Sequence, residues 1–154
     1  MSSKRFARFW RVRAEFGPKR SRNRWDMGVQ ADVVAFIDDM ATAYARADLI
    51  VCRAGATTLA EIATLAKPAI LIPYPFAADD HQRRNAEVVV QRGAAAMILD
   101  EELSGERLAV AVTALARDPE RRQQMQAAVR TLATPDAVSR VVSVCRQVAE
   151  EGVR

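Results

Sequence analysis

From Val33 onward, short runs of β-branched and aliphatic residues alternate with longer stretches of helical periodicity. That alternation admits few folds other than a parallel sheet with helical crossovers. The strand runs are Val33–Phe36, Asp48–Cys52, Ala69–Pro73 and Ala95–Leu99. Between the first two, Asp38–Ala45 reads as a short helix whose acidic first turn suits the positive end of the helix dipole. Thr57–Ala66 reads as the second helix, stopped by Lys67-Pro68, and the third runs from about Asp80 to Arg92 with Gly93 as its left-handed cap. Gly105–Ala116, Asp118–Leu132 and Asp136–Ala149 follow, with Asp118 as N-cap and Pro119 at the first helical position. In the last helix Val138, Val141, Val142, Cys145 and Val148 keep an i, i+3, i+4, i+7 rhythm, so one face is expected to pack on something. The fold class expected is α/β: a parallel sheet with its helices packed on its faces.

Size and charge narrow the function classes. The chain has 154 residues, 50% hydrophobic and 27% charged, which suits one globular domain. No apolar run approaches the ~20 residues that span a bilayer. One histidine (His81) and two distant cysteines (Cys52, Cys145) make neither a zinc cluster nor a disulfide framework, so a reducing cytosol is the expected compartment. The net charge of +4 is unevenly spread: residues 1–25 hold nine basic groups and one acid, a sum of +8, which leaves −4 for the rest. The folded body is therefore mildly acidic, and no nucleic-acid partner is expected. Residues 1–30 fall outside the strand and helix scheme and are set apart as a basic N-terminal segment, with 31–154 as the domain. Two readings of that segment stand side by side: an unordered Arg-rich leader, or a basic amphipathic helix (Phe6, Phe9, Trp10, Val12, Phe16) lying on an anionic membrane surface.

The chemistry is concentrated in the stretch from Asp48 to Ile62, in which a buried-type strand ends at Cys52 and the small residues Ala54, Gly55 and Ala56 turn into a helix. The free N–H groups of such a helix start make an anion site at the carboxyl end of a strand, where open parallel sheets bind ligands. A nucleotide diphosphate is the ligand expected at this turn. Glu61, in the first turns of the helix, can accept hydrogen bonds from the vicinal 2′ and 3′ hydroxyls of a ribose. The competing reading makes Thr58 and Glu61 a capping box with no ligand at all. A second element, Pro73 to Ala86, places further polar groups on the same rim. Gln82 offers an amide that can donate to and accept from sugar hydroxyls. Asp79, Asp80 and His81 could suggest a metal, but adjacent ligands on one turn diverge, and N-capping by an aspartate is the role expected. His81 reads as a capping or solvent-facing side chain, with a catalytic part as the alternative.

Four ordered motifs, Phe36-Ile-Asp-Asp-Met40, Ala47–Ala63 with its Cys-Arg-Ala-Gly-Ala turn, Lys67–Pro73, and Asp80-His-Gln-Arg-Arg-Asn-Ala86, resemble the C-terminal domain of the MurG family of glycosyltransferases, glycosyltransferase family 28, over about residues 33–150. The resemblance implies a GT-B fold, two Rossmann-like domains facing a cleft, of which this chain holds most of the donor-binding one. It implies a hexosyltransferase of peptidoglycan synthesis, with roles in cell shape and division. Such an enzyme takes N-acetylglucosamine from UDP-GlcNAc to undecaprenyl-pyrophosphoryl-muramyl-pentapeptide, converting lipid I to lipid II. Carried over by position, Ile37 would meet the uracil through its backbone, Ala56, Thr57, Thr58, Leu59 and Ala60 would line the diphosphate and ribose, Glu61 would grip the ribose hydroxyls, and Gln82 would contact the sugar ring. No catalytic residue, metal ligand or cofactor is implied for this stretch, UDP-GlcNAc being the donor substrate.

The same resemblance sets expectations about what lies elsewhere. The lipid-linked acceptor, the catalytic base and a Gly-rich phosphate loop belong to parts of the family pattern not found in these residues, so the chain alone is expected to be inactive. The location implied is the cytoplasm, peripheral on the inner membrane. The alternatives are a non-catalytic UDP-sugar-binding module serving a separately encoded acceptor-binding half, and a truncated remnant without function.

Overall fold

The computed structural model describes residues 10–13, 31–34 and 36–151. They fall into two units that divide between Ala43 and Tyr44, each taken by itself. In the first, β1 (Trp10–Arg13) pairs in parallel with β2 (Ala31–Val34), Trp10 opposite Ala31. Those four residues of the basic segment therefore form a strand and not the helix or unordered leader read from the sequence; the rest of 1–30 lies outside the described residues. The alternation of Trp10 and Val12 with Arg11 and Arg13 has the two-residue period of a strand, which the abundance of arginine obscured. Helix α1 (Met40–Arg46) follows Asp39, whose carboxylate accepts the Thr42 N–H at 2.9 Å. Hydrogen bonding by Thr42 holds the Asp39 carboxyl below its usual range. The acidic pair thus precedes the helix, with Asp39 capping it.

The second unit is built on a parallel sheet in the order β3 (Ile50–Cys52), β4 (Ala69–Leu71), β5 (Ala95–Met97), with Ile50 opposite Ala69 and Ala69 opposite Ala95. The crossover helices are α2 (Ala56–Thr64) and α3 (His81–Gln91); α4 (Gly105–Arg117), α5 (Pro119–Arg130) and α6 (Ala137–Glu151) follow. All three residues of β4 are fully buried, so both faces of the central strand are covered. Ile62, Ile70, Leu71, Met125 and Val129 form the heart of the core. Helix α2 packs on α5 and α5 on α4, while α3 lies against β5.

Local signals explain the boundaries. Asp118 and Ser104 cap their helices by accepting the N–H three residues on. Gly93, at φ 70°, closes α3 in the left-handed region, as its position predicts. Helix α2 ends earlier than Lys67-Pro68: Ala66 turns left-handed (φ 49°), its N–H returns to Ala63 and the Lys67 N–H to Ile62, the Schellman pattern. Lys67 then extends its ammonium to the carbonyls of Ala45 and Ala47 at 3.1 and 3.0 Å, placing a cation at the negative end of α1. The valine stripe of α6 departs from expectation, because none of that helix's side chains is buried among the described residues.

Burial therefore separates two otherwise similar truncations. Ile70→Ala is expected to lose about 2–5 kcal/mol of unfolding free energy, whereas Val141→Ala on α6 stays within about 0.5 kcal/mol. Chemical denaturation of the two variants beside the parent chain checks both.

Candidate functional site

Because β3, β4 and β5 run in parallel, their carboxyl ends open on one edge, and the segments that leave them carry the polar side chains of the site. Arg53, the first residue past β3, links all three ends. Its Nη1 donates to the carbonyls of Ile72 (3.3 Å) and Pro73 (3.0 Å) and meets the Asp100 carboxylate at 2.5 Å. The guanidinium also lies 5.5 Å from the centre of the Tyr74 ring. With the Arg53 side chain half exposed, the ion pair itself contributes little to stability, and its effect is to register the three loops.

The turn that follows is held from α3. Ala54 is fully buried, and a buried peptide that has left its strand still needs partners for both polar groups. Gln82 Oε1 accepts the Ala54 N–H at 3.2 Å, and Asn85 Nδ2 donates to the Ala54 carbonyl at 3.3 Å. Spaced three apart, these two side chains share one face of α3. The same Gln82 oxygen accepts the Tyr74 N–H at 3.0 Å, joining the β3 and β4 exits.

Helix α2 then starts with no side-chain cap. Gly55 is its N-cap in extended conformation (φ −68°, ψ 144°), so the first N–H groups, from Ala56 to Thr58, have no partner within the helix. Neither strain nor packing demands glycine at 55, since an added Cβ would come no closer than 4.0 Å to Thr58. What the missing side chain leaves is room above those N–H groups, the geometry an anion needs. The capping-box reading of Thr58 and Glu61 is thereby overturned: Thr58 lies inside the helix, and the Glu61 carboxylate accepts the Tyr44 hydroxyl at 3.0 Å instead.

The approach to α3 departs from expectation as well. Asp80 occupies the N-cap position but makes no capping hydrogen bond, because it and Asp79 both sit in the left-handed region (φ 53° and 51°). That conformation costs L-residues roughly 1–2 kcal/mol each. His81 Nδ1 donates to the Ala78 carbonyl at 2.7 Å, which ties the ring to the turn. Among the described residues no group of three or more His, Cys, Asp or Glu side chains converges as a metal site would.

An apolar cavity of about 300 Å³ lies between α2, α3, α5 and the sheet, with Ala56, Leu59 and Ala60 in its wall beside Val88, Val129 and Leu132. It has no charged lining and cannot meet a diphosphate's charge. Of the eight residues expected at the site, the structure thus gathers Ala56–Glu61 on α2 and Gln82 on α3. Ile37 is half-buried and belongs to the first unit. Arg53, Asn85 and Tyr44 were not singled out from the sequence, although a cation immediately after a strand and an amide three residues from Gln82 were visible there. Cys52 closes β3 beneath the turn, where burial pushes its thiol up to about 12.

The sequence profile described as "Glycosyltransferase family 28 C-terminal domain" matches residues 12–141. The chain belongs to that family. A Geobacter metallireducens protein named UDP-N-acetylglucosamine--N-acetylmuramyl-(pentapeptide) pyrophosphoryl-undecaprenol N-acetylglucosamine transferase is 56% identical over 117 residues, which are 76% of this chain and 32% of the relative. A Myxococcus xanthus protein of the same name is 53% identical over 78% of this chain and 31% of its own length. The crystal structure of Acinetobacter baumannii MurG superposes with a TM-score of 0.72 at 37% identity, over 79% of this chain and 35% of that one. The family 28 chain thus spans about a third of the relatives it matches, and its parallel sheet with crossover helices is the α/β fold expected.

Two outcomes follow from this geometry. Gln82→Ala strands the buried Ala54 N–H and should cost about 1–3 kcal/mol in denaturant unfolding, while Gln82→Glu, which still presents acceptor oxygens, should keep most of the stability. For the thiols, a value about 12 leaves Cys52 essentially without thiolate at pH 8. A thiol-reactive chromophore should label one cysteine rapidly in the native chain, the exposed Cys145, and both after denaturation.

Proposed function

We propose that this chain is the donor-binding part of a hexosyltransferase of peptidoglycan synthesis, taking UDP-GlcNAc for transfer of its sugar to undecaprenyl-pyrophosphoryl-muramyl-pentapeptide. The observation that carries this reading is the uncapped start of α2 on the carboxyl rim of the sheet, with a held carboxylate, Glu61, five residues further along the same helix. It is supported by family membership and by the shared name of relatives at 53–57% identity.

In this reading residues 31–154 form the UDP-sugar-binding domain. The N–H groups at Ala56, Thr57 and Thr58 take the diphosphate, with Leu59 and Ala60 shaping the adjoining wall, and Glu61 accepts from the ribose hydroxyls. Ile37 meets the uracil through its backbone. Gln82 reaches the sugar through its amide nitrogen, since its carbonyl oxygen already accepts from Ala54 and Tyr74. A base in the acceptor-binding portion removes the proton of the acceptor 4-hydroxyl. The oxygen attacks the anomeric carbon with inversion, and the bond to UDP breaks, the leaving diphosphate's charge resting on the α2 N-terminus. No helix among the described residues is long and apolar enough to cross a membrane. The proposed setting is the cytoplasm at the inner membrane face, where a lipid-linked acceptor would be met. A second reading, a non-catalytic UDP-sugar-binding module docked on a separately encoded acceptor-binding half, draws on the exposed valine face of α6.

Calorimetric titration with UDP-GlcNAc, UDP and ADP tests the donor site. Saturable binding of the two uridine nucleotides is expected, weakened about 10–100-fold in Glu61→Ala by loss of hydrogen bonds to a charged group. Equal affinity for ADP, or an unaffected variant, would overturn the assignment.

A further inference from the structure

The contact between Tyr44 and Glu61 joins a buried aromatic side chain to the carboxylate assigned to the ribose. Glu61 is half-buried, and a glutamate so placed has three side-chain torsions to fix before it can receive a ligand, at an entropic cost that the ligand's own hydrogen bonds would otherwise have to overcome. Tyr44 is buried at the end of α1, and its hydroxyl donates to Glu61 Oε2 at 3.0 Å across 17 positions of sequence. Its own position is fixed in turn. The Lys67 ammonium, which follows α2, binds the carbonyls of Ala45 and Ala47 on either side of the end of α1, so that the two helices are tied at two points.

We infer that Tyr44 is a positioning residue for recognition of a ribonucleoside diphosphate: its hydroxyl fixes the Glu61 carboxylate in the orientation that accepts a vicinal ribose diol. This rests on the assignment of Glu61 to the ribose and goes beyond it by naming the group that sets the specificity. The chemistry is additive. An ionised carboxylate has about four lone-pair sites, of which the tyrosine hydroxyl occupies one, leaving both oxygens able to accept from the 2′ and 3′ hydroxyls. A carboxylate held in place gains from both hydroxyls at once, so removal of the 2′-hydroxyl is felt in full. A carboxylate free to turn can follow whichever hydroxyl remains, and the penalty for a deoxyribose shrinks.

The discriminating measurement is the ratio of affinities for UDP and 2′-deoxy-UDP, taken by calorimetry on the full chain and on Tyr44→Phe, which fills the same buried volume without the hydroxyl. The parent chain is expected to prefer UDP, and Tyr44→Phe to lower that preference about 3–10-fold, mostly through weaker UDP binding. In the Glu61→Gln background the Tyr44→Phe change should have no further effect on the ratio. If Tyr44→Phe weakens both nucleotides equally, or neither, or if the change still acts without Glu61, the positioning role is wrong while the ribose assignment stands. A parent chain that does not distinguish UDP from 2′-deoxy-UDP instead overturns the assignment of Glu61 itself, and the inference with it.

Discussion

Everything at the carboxyl rim depends on satisfying one buried peptide. Where β3 ends, Ala54 carries its N–H and carbonyl into the interior with no neighbouring strand to receive them, and an unmet pair there would cost more than the turn's small residues could return. Gln82 and Asn85 of α3 supply the missing partners. The consequence reaches in both directions. The turn can stay free of bulky side chains because its support comes from behind, and α3 is fixed against the β3 exit by the same two bonds. The β4 exit joins the arrangement through Tyr74 on the Gln82 oxygen, and the segment after β5 joins it through Asp100 on Arg53.

Helix α2 divides its labour by face. Ile62 and Ala63 are buried and anchor the helix, which packs on α5, while Ala56, Leu59 and Ala60 line an apolar cavity. Thr57, Thr58 and Glu61 are absent from that wall and remain for polar work. A short helix can present an uncapped N-terminus only if its stability comes from such tertiary packing and not from its own ends. The Schellman closure at Ala66 and the lysine that follows it then carry the chain directly into β4, linking α2 to the end of α1 on the way.

Much of this was legible in the sequence, for identifiable reasons. The strands at 50–52, 69–71 and 95–97 all fall inside expected runs, because β-branched and small apolar residues bounded by polar turns have few other uses. Their observed ends come two residues early at β4 and β5, since residues such as Pro73 and Leu99 continue the apolar pattern after ladder pairing has ceased. The small-residue turn and Glu61 were visible because helix starts have a fixed chemistry. What stayed hidden was pairing at a distance. Nothing near Glu61 in sequence announces that its partner is Tyr44, and of the Gln82 amide, read as a donor and acceptor for sugar hydroxyls, the oxygen accepts from backbone amides that only the fold brings near. The two aspartates before α3 misled for a similar reason: their type suits a cap, but both sit in the left-handed region and the N-cap Asp80 makes no capping hydrogen bond. Among 1–30, a two-residue alternation at Trp10–Arg13 was outweighed by charge.

Helix α6 has a different standing from the rest of the second unit. It is 15 residues long and buries no side chain among the described residues. Helices of that length are marginal in water when nothing packs against them. Its amide protons should then exchange with solvent through local opening, at rates set by a free energy well below that of the whole domain, while those of β4 wait for global unfolding. Within the second unit, hydrogen exchange should thus separate α6 from the sheet and the helices packed on it, with the break falling in the short link between Thr131 and Asp136.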